Sequence, residues 1–203
     1  MVERMTRPFR QQIDESILDH AAALFARQGV AKTSVQEVAD AVGLSKTGLL
    51  HHFPSKDALR EAVVAQAGGL GQLALDQVGD LPLGRDRDRR AIEVLVDVAV
   101  AHPGLVALLL APVTHGGAGV VDPTDDGIGG AAFKAFGVDP EADAPERIVR
   151  VAGALCALAL LSIAAHRADQ TTAWRPLVVA TCYDALGHSR PGAPLPDSAH
   201  LEG

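Results

Sequence analysis

Between Thr33 and Phe53 the sequence TSVQEVADAVGLSKTGLLHHF leaves room for two helices of about two turns each, joined through a glycine. Ser34 and Glu37 stand at the S-x-x-E spacing of a capping box, and Val35, Val38, Ala39 and Val42 recur on one helical face. Gly43 stops that helix. Ser45 can cap a second one, which must close near His52 because Pro54-Ser55 restarts the chain. The second helix buries Leu49 and Phe53 and turns Thr47, Gly48 and His51 outward, with Lys46, Leu50 and His52 on the flanks. An outer face that offers an ammonium, a hydroxyl, bare backbone and imidazoles suits a DNA major groove, where base edges and phosphates present acceptors. Gly48 is costly inside a helix unless something approaches closely. By itself the pattern is weak, since helical hairpins with a glycine turn occur in unrelated proteins.

The flanking segments are helical too. Ile13, Ile17, Ala21, Leu24 and Phe25 predict a helix from Gln11, capped at Gly29, behind a flexible arm over residues 1–10. Another helix should run from Lys56 into the seventies. Further helices are expected over 87–102, 105–111, 145–168 and 172–186, with a mobile glycine- and acid-rich loop over 113–130. Aromatic residues make up only 3% of the chain, so little favours strands and the fold class is all-α.

Charge is uneven. Residues 1–60 hold 8 basic against 7 acidic side chains, while the remainder holds 10 against 18. A near-neutral quarter on an acidic body fits a small DNA-reading head. Two cysteines are too few for a disulfide scaffold, and the N-terminus carries no apolar signal segment, which points to the cytoplasm. The uncharged run 151–165 is shorter than a membrane span, so a core or interface helix is expected there.

The ordering Phe25, Gly29, Thr33-Ser34, Ala39, Gly43, Ser45, Leu49, His52-Phe53, Lys56 makes residues 10–59 resemble the DNA-binding domain of the TetR family of bacterial repressors. The resemblance covers about a quarter of the chain and implies a head over 10–70 and a helical ligand-binding and dimerisation body over 71–187, while three prolines and two glycines make 188–203 read as a disordered tail. It implies base contacts from Gln36, Lys46, Thr47 and Gly48, and phosphate contacts from Thr33 or Ser34, His52 and Lys56. Ser45, Leu50 and His51 complete the expected DNA surface. Leu50 departs from the family, which usually has an aromatic there. Leucine cannot bond a phosphate, but it can touch a thymine methyl or simply pack.

The implied protein is a homodimeric repressor that binds a palindromic double-stranded operator and is released by a small, mostly apolar effector. Its dimer interface is expected from helices 145–168 and 172–187, through Leu155, Leu158, Leu177, Val178 and Thr181. Thr114, His115, Cys156, Ser162, Thr181 and Tyr183 are the polar candidates for an effector pocket, although buried cysteines are ordinarily inert. No cofactor or membrane partner is expected. His51 and His52 point about 100° apart and chelate a metal poorly. No nucleophile elbow, phosphate-cradling loop or acid–base pair suggests an enzyme, and a DNA-binding protein without any effector remains an open alternative.

Overall fold

The computed structural model describes residues 3–114, 128–139 and 143–188. Every regular element among them is a helix: α1 (Glu3–Gln28), α2 (Val35–Ala41), α3 (Lys46–His52), α4 (Lys56–Val78), α5 (Arg85–Ala101), α6 (Pro103–Thr114), α7 (Ile128–Ala135), α8 (Pro145–Arg167) and α9 (Thr171–Ala185). The stretch expected to be an arm is instead the first part of α1, which starts at Glu3.

Two apolar clusters organise these helices. In the first, Ile17, Ala21 and Phe25 of α1 pack on Val38 of α2, Leu49 of α3, and Leu59 and Val63 of α4. Leu105 of α6 joins the same cluster, so the C-terminal body contributes a side chain to the head's core. The second cluster gathers Val78, Ile92 and Val96, the two phenylalanines Phe133 and Phe136, and Val151, Leu158, Val178 and Cys182. Burial pushes the Cys182 thiol up to about 11, which suits an inert core cysteine.

Head and body meet where α1 crosses the start of α6. Asp19 Oδ2 accepts from Gly104 N at 3.1 Å and Oδ1 from Leu105 N at 3.0 Å, so α1 supplies the N-terminal cap of α6. The approach is close enough to require glycine, because a Cβ on residue 104 would lie 1.9 Å from the backbone oxygen of Asp19.

At the far end of the body, fully buried Asp88 of α5 accepts two bonds from Arg147 of α8, at 3.0 and 2.7 Å. His188 Nε2 lies 2.7 Å from the same carboxylate. His188, expected in a disordered tail, is therefore tied to the body, while 189–203 lie outside the described residues. The expected loop over 113–130 falls mostly outside them as well, but its last residues begin α7. Glycines 129 and 130 hide that helix from a propensity argument. It forms because Phe133 and Phe136 are buried in the body core.

Helix α8, with 23 residues and a mean hydropathy of 2.2 in its most apolar stretch, is long and apolar enough by composition to cross a membrane. The short uncharged run therefore does not settle that point by length. One of its faces, through Val151, Ala154, Leu158, Ser162 and Ala165, is buried within the chain. Its opposite face is not: Val149 is 68% and Leu160 56% exposed, and on α9 Leu177 is 64% exposed.

Candidate nucleic-acid interface

The local caps form as the spacing predicts. Ser34 Oγ accepts from Glu37 N at 3.1 Å while Glu37 Oε2 accepts from Ser34 N at 2.7 Å, closing the capping box on α2. These bonds, the Ser34 N–H first, followed by the side chains of Gln28 and Ser34, hold the Glu37 carboxyl below its ordinary value of 4.5. Gly43 turns the chain with φ +70, a conformation that side chains with a Cβ rarely adopt. Ser45 Oγ then accepts from Gly48 N at 3.0 Å to start α3.

Leu49 is fully buried beneath α3, which fixes the helix's rotation. Lys46, Thr47 and His51 are consequently exposed along its outer face, with Gly48, Leu50 and His52 half-buried beside them. A Cβ on Gly48 would meet only Ser45 Oγ at 3.3 Å and Leu44 Cβ at 3.8 Å, so the protein's own packing places little demand on a glycine there. Exposed Ser34 and Gln36 lie on α2 and its cap, and the Gln36 amide donates to Asp40 Oδ1 at 2.7 Å.

Three of the expected contact residues are placed in ways the sequence did not reveal. Thr33 is fully buried, and its hydroxyl donates to Gly29 O at 2.9 Å. Lys56 Nζ donates to the carbonyls of Val30, Ala31 and Thr33 at 3.0, 3.2 and 3.2 Å. An ammonium has three N–H groups, and all three are used in tying α4 to the turn before α2. Neither side chain keeps a free donor for a phosphate, which leaves Ser34 as the accessible member of the Thr33-Ser34 pair. His52 is bonded through Nδ1 to Asp14 Oδ1 of α1, a pairing across 38 positions that no local pattern announces.

The expected effector-pocket residues do not converge. Ser162 is buried, and its hydroxyl has no hydrogen-bond partner among the described residues. Thr181 is exposed and Cys156 half-buried. Tyr183 packs beside His188 with ring centres 4.7 Å apart, and the guanidinium of Arg89 lies 5.9 Å from its ring. His115 and the side chain of Thr114 lie outside the described residues. What the structure does contain is a cleft of about 660 Å³ at the junction of head and body. Gln12, Asp19 and His20 of α1 line one wall, and His102, Ala107 and Ile163 line the other.

Of the residues expected at a dimer interface, Leu158 and Val178 are buried inside the subunit and cannot serve. Leu155 is half-buried, whereas Leu177 and Thr181 are exposed. The expected set thus mixes inward-facing and outward-facing residues of α8 and α9.

The family model for bacterial regulatory proteins of the tetR family matches residues 17–63, the span from α1 through the first turns of α4. The head is a TetR-family domain. Among curated relatives, the HTH-type transcriptional repressor KstR2 of Rhodococcus jostii is 42% identical over 48 residues, 24% of this chain and 24% of its own length. The HTH-type transcriptional regulator AcrR of Shigella flexneri is 34% identical over 80 residues, 39% of this chain and 37% of its own. The chain thus matches well under half the length of either curated relative. A TetR-like transcriptional regulator from Rhodococcus sp. aligns over 89% of this chain and 97% of its own, with 19% identity and a TM-score of 0.48. The family-model match ends within α4, and the curated matches leave most of the body uncovered.

Proposed function

We propose that this protein is a transcriptional repressor that binds a palindromic operator as a homodimer and lets go when a small molecule binds. The observation that carries the reading is the outer face of α3, where Lys46 and Thr47 stand exposed above a buried Leu49 on a helix too short to serve as a packing element alone. Lys46, Thr47 and Gly48 are assigned to base edges. Ser34, Ser45, His51 and His52 are assigned to the backbone, and Gln36 reaches bases only by giving up its bond to Asp40. Leu50, half-buried, supports the face or meets a thymine methyl.

One such helix reads few base pairs, and a two-fold pair reads both halves of a palindrome. The apolar stripe of Val149, Gly153 and Leu160 on α8, continued by Ala173, Leu177 and Ala180 on α9, supports a four-helix contact between copies. The same contact accounts for the hydropathy of α8 without a membrane, and a role on DNA places the protein in the cytoplasm. The effector reading rests on the junction cleft, because a ligand held between α1 and the start of α6 would disturb the Asp19 cap that joins head to body. No step of this reading calls on a cofactor or on enzymatic chemistry.

A gel shift with DNA lying upstream of the coding sequence, combined with light scattering, tests it. Retardation of that DNA by a dimer is the expected result. A monomer at micromolar concentration, or no preference over random duplex, would refute the reading.

A further inference from the structure

Asp14 of α1 and His52 of α3 bring a carboxylate against an imidazole on the helix proposed to face DNA. At neutral pH a carboxylate only accepts hydrogen bonds, so the shared hydrogen belongs to Nδ1 of His52. The other neutral tautomer would set a nitrogen lone pair against the carboxylate. Nε2 has no partner among the described residues. It carries either a bare lone pair, when the ring is neutral, or a second N–H, when the ring is an imidazolium.

A phosphate oxygen also only accepts. With Nδ1–H given to Asp14, Nε2 can bond a phosphate in the imidazolium state alone, and in the neutral state it turns a lone pair toward an anion. We infer that Asp14 is a positioning residue that fixes the tautomer of His52 and thereby makes the head's backbone contact dependent on a proton. The inference rests on the DNA-binding reading above and extends it. Binding of each head would take up a proton, with the imidazolium held between the carboxylate and the phosphate.

Other charged groups of the head have partners of their own. Lys56 of α4 gives its ammonium to three carbonyls, Glu15 beside Asp14 accepts from Gln11 at 2.9 Å, and Glu37 of α2 is held in its capping box. His51, next to His52 on α3, is exposed and forms no bond to it. Asp14 is thus the one group bonded to the His52 ring among the described residues.

The test uses a duplex selected by the protein from a randomised library, titrated at constant ionic strength between about pH 6 and 8.5, where histidine changes charge. Affinity of the unaltered protein should fall with rising pH, toward roughly tenfold per pH unit for each head. Asp14→Asn keeps an acceptor but removes the charge that faces the imidazolium, and it should bind more weakly than the unaltered protein. His52→Gln should bind more weakly with this pH dependence removed. Thermal unfolding confirms that each variant is folded. Nitrogen-15 spectra of the free protein supply a readout that needs no DNA: neutral His52 should carry its proton on Nδ1, and in Asp14→Ala that preference should disappear. A proton on Nε2 in the unaltered protein, or an Asp14→Asn profile identical to it, would overturn the inference. Failure to bind any selected duplex at any pH would instead defeat the DNA-binding reading, and the inference with it.

Discussion

Replacing Gly104 by alanine tests how the head is joined to the body. The new Cβ would lie 1.9 Å from the backbone oxygen of Asp19 and 2.8 Å from its carbonyl carbon. Carbon and oxygen ordinarily approach no closer than about 3.3 Å, so α6 must retreat from α1 by about 1.4 Å. That retreat carries the amides of Gly104 and Leu105, now 3.1 and 3.0 Å from the Asp19 carboxylate, beyond hydrogen-bond reach. It also draws Leu105 out of the head's core. Overpacking costs about 1–3 kcal/mol and loss of a cap about 1 kcal/mol, so the expected destabilisation is about 2–4 kcal/mol, read as a shift in the urea midpoint. Asp19→Ala removes the cap without creating a clash and should cost only about 1 kcal/mol. The main obstacle to alanine is Asp19's backbone, since its side-chain Cγ lies farther off at 3.0 Å. The double variant should therefore be about as unstable as Gly104→Ala alone, because its cap is already lost. A Gly104→Ala midpoint close to that of the unaltered protein, or strict additivity of the two losses, would refute the reasoning.

Other substitutions probe the head itself. Gly48→Ala should leave stability within about 1 kcal/mol, since better helix propensity offsets the tight contact with Ser45 Oγ, yet operator affinity should drop because the new methyl occupies the DNA-facing surface. Lys56→Ala should lower stability by about 1–3 kcal/mol in urea unfolding while leaving the salt slope of DNA binding unchanged, its ammonium being committed to Val30, Ala31 and Thr33. Glu37 has a depressed folded pKa, so its capping contribution is present above the ordinary value of 4.5 and is lost as pH falls below it. The stability gap between the unaltered protein and Glu37→Gln should accordingly close on acidification, a trend that thermal melts across about pH 3–6 would reveal.

Features fixed within a few residues were legible in the sequence. Ser34 with Glu37, Gly43 and Ser45 determine two short helices through caps and one left-handed turn, and Leu49 determines which way the second faces. Contacts made across the chain were not. Asp14 reaches His52 across 38 positions and Asp19 reaches Leu105 across 86, and neither carboxylate carries any local mark of its partner. Lys56 illustrates a different limit. The resemblance supplied a residue for a phosphate, but three carbonyls converge on the same ammonium in the folded chain. Leu158 and Val178 show why the outward faces of α8 and α9 were only partly legible. Both sides of α8 and α9 are apolar, and only packing decides which residues of each helix turn inward.

If the outer face of α3 reads DNA sequence, Lys46 must distinguish one duplex from another. Salt-controlled titrations of Lys46→Ala on the selected duplex and on a scrambled one test it most directly. A loss of about 1–3 kcal/mol is expected on the selected duplex and a much smaller loss on the scrambled one, because a lost base contact removes discrimination rather than general attraction. Equal losses on both duplexes would show that Lys46 supplies only charge, contradicting the base-reading role assigned to that face.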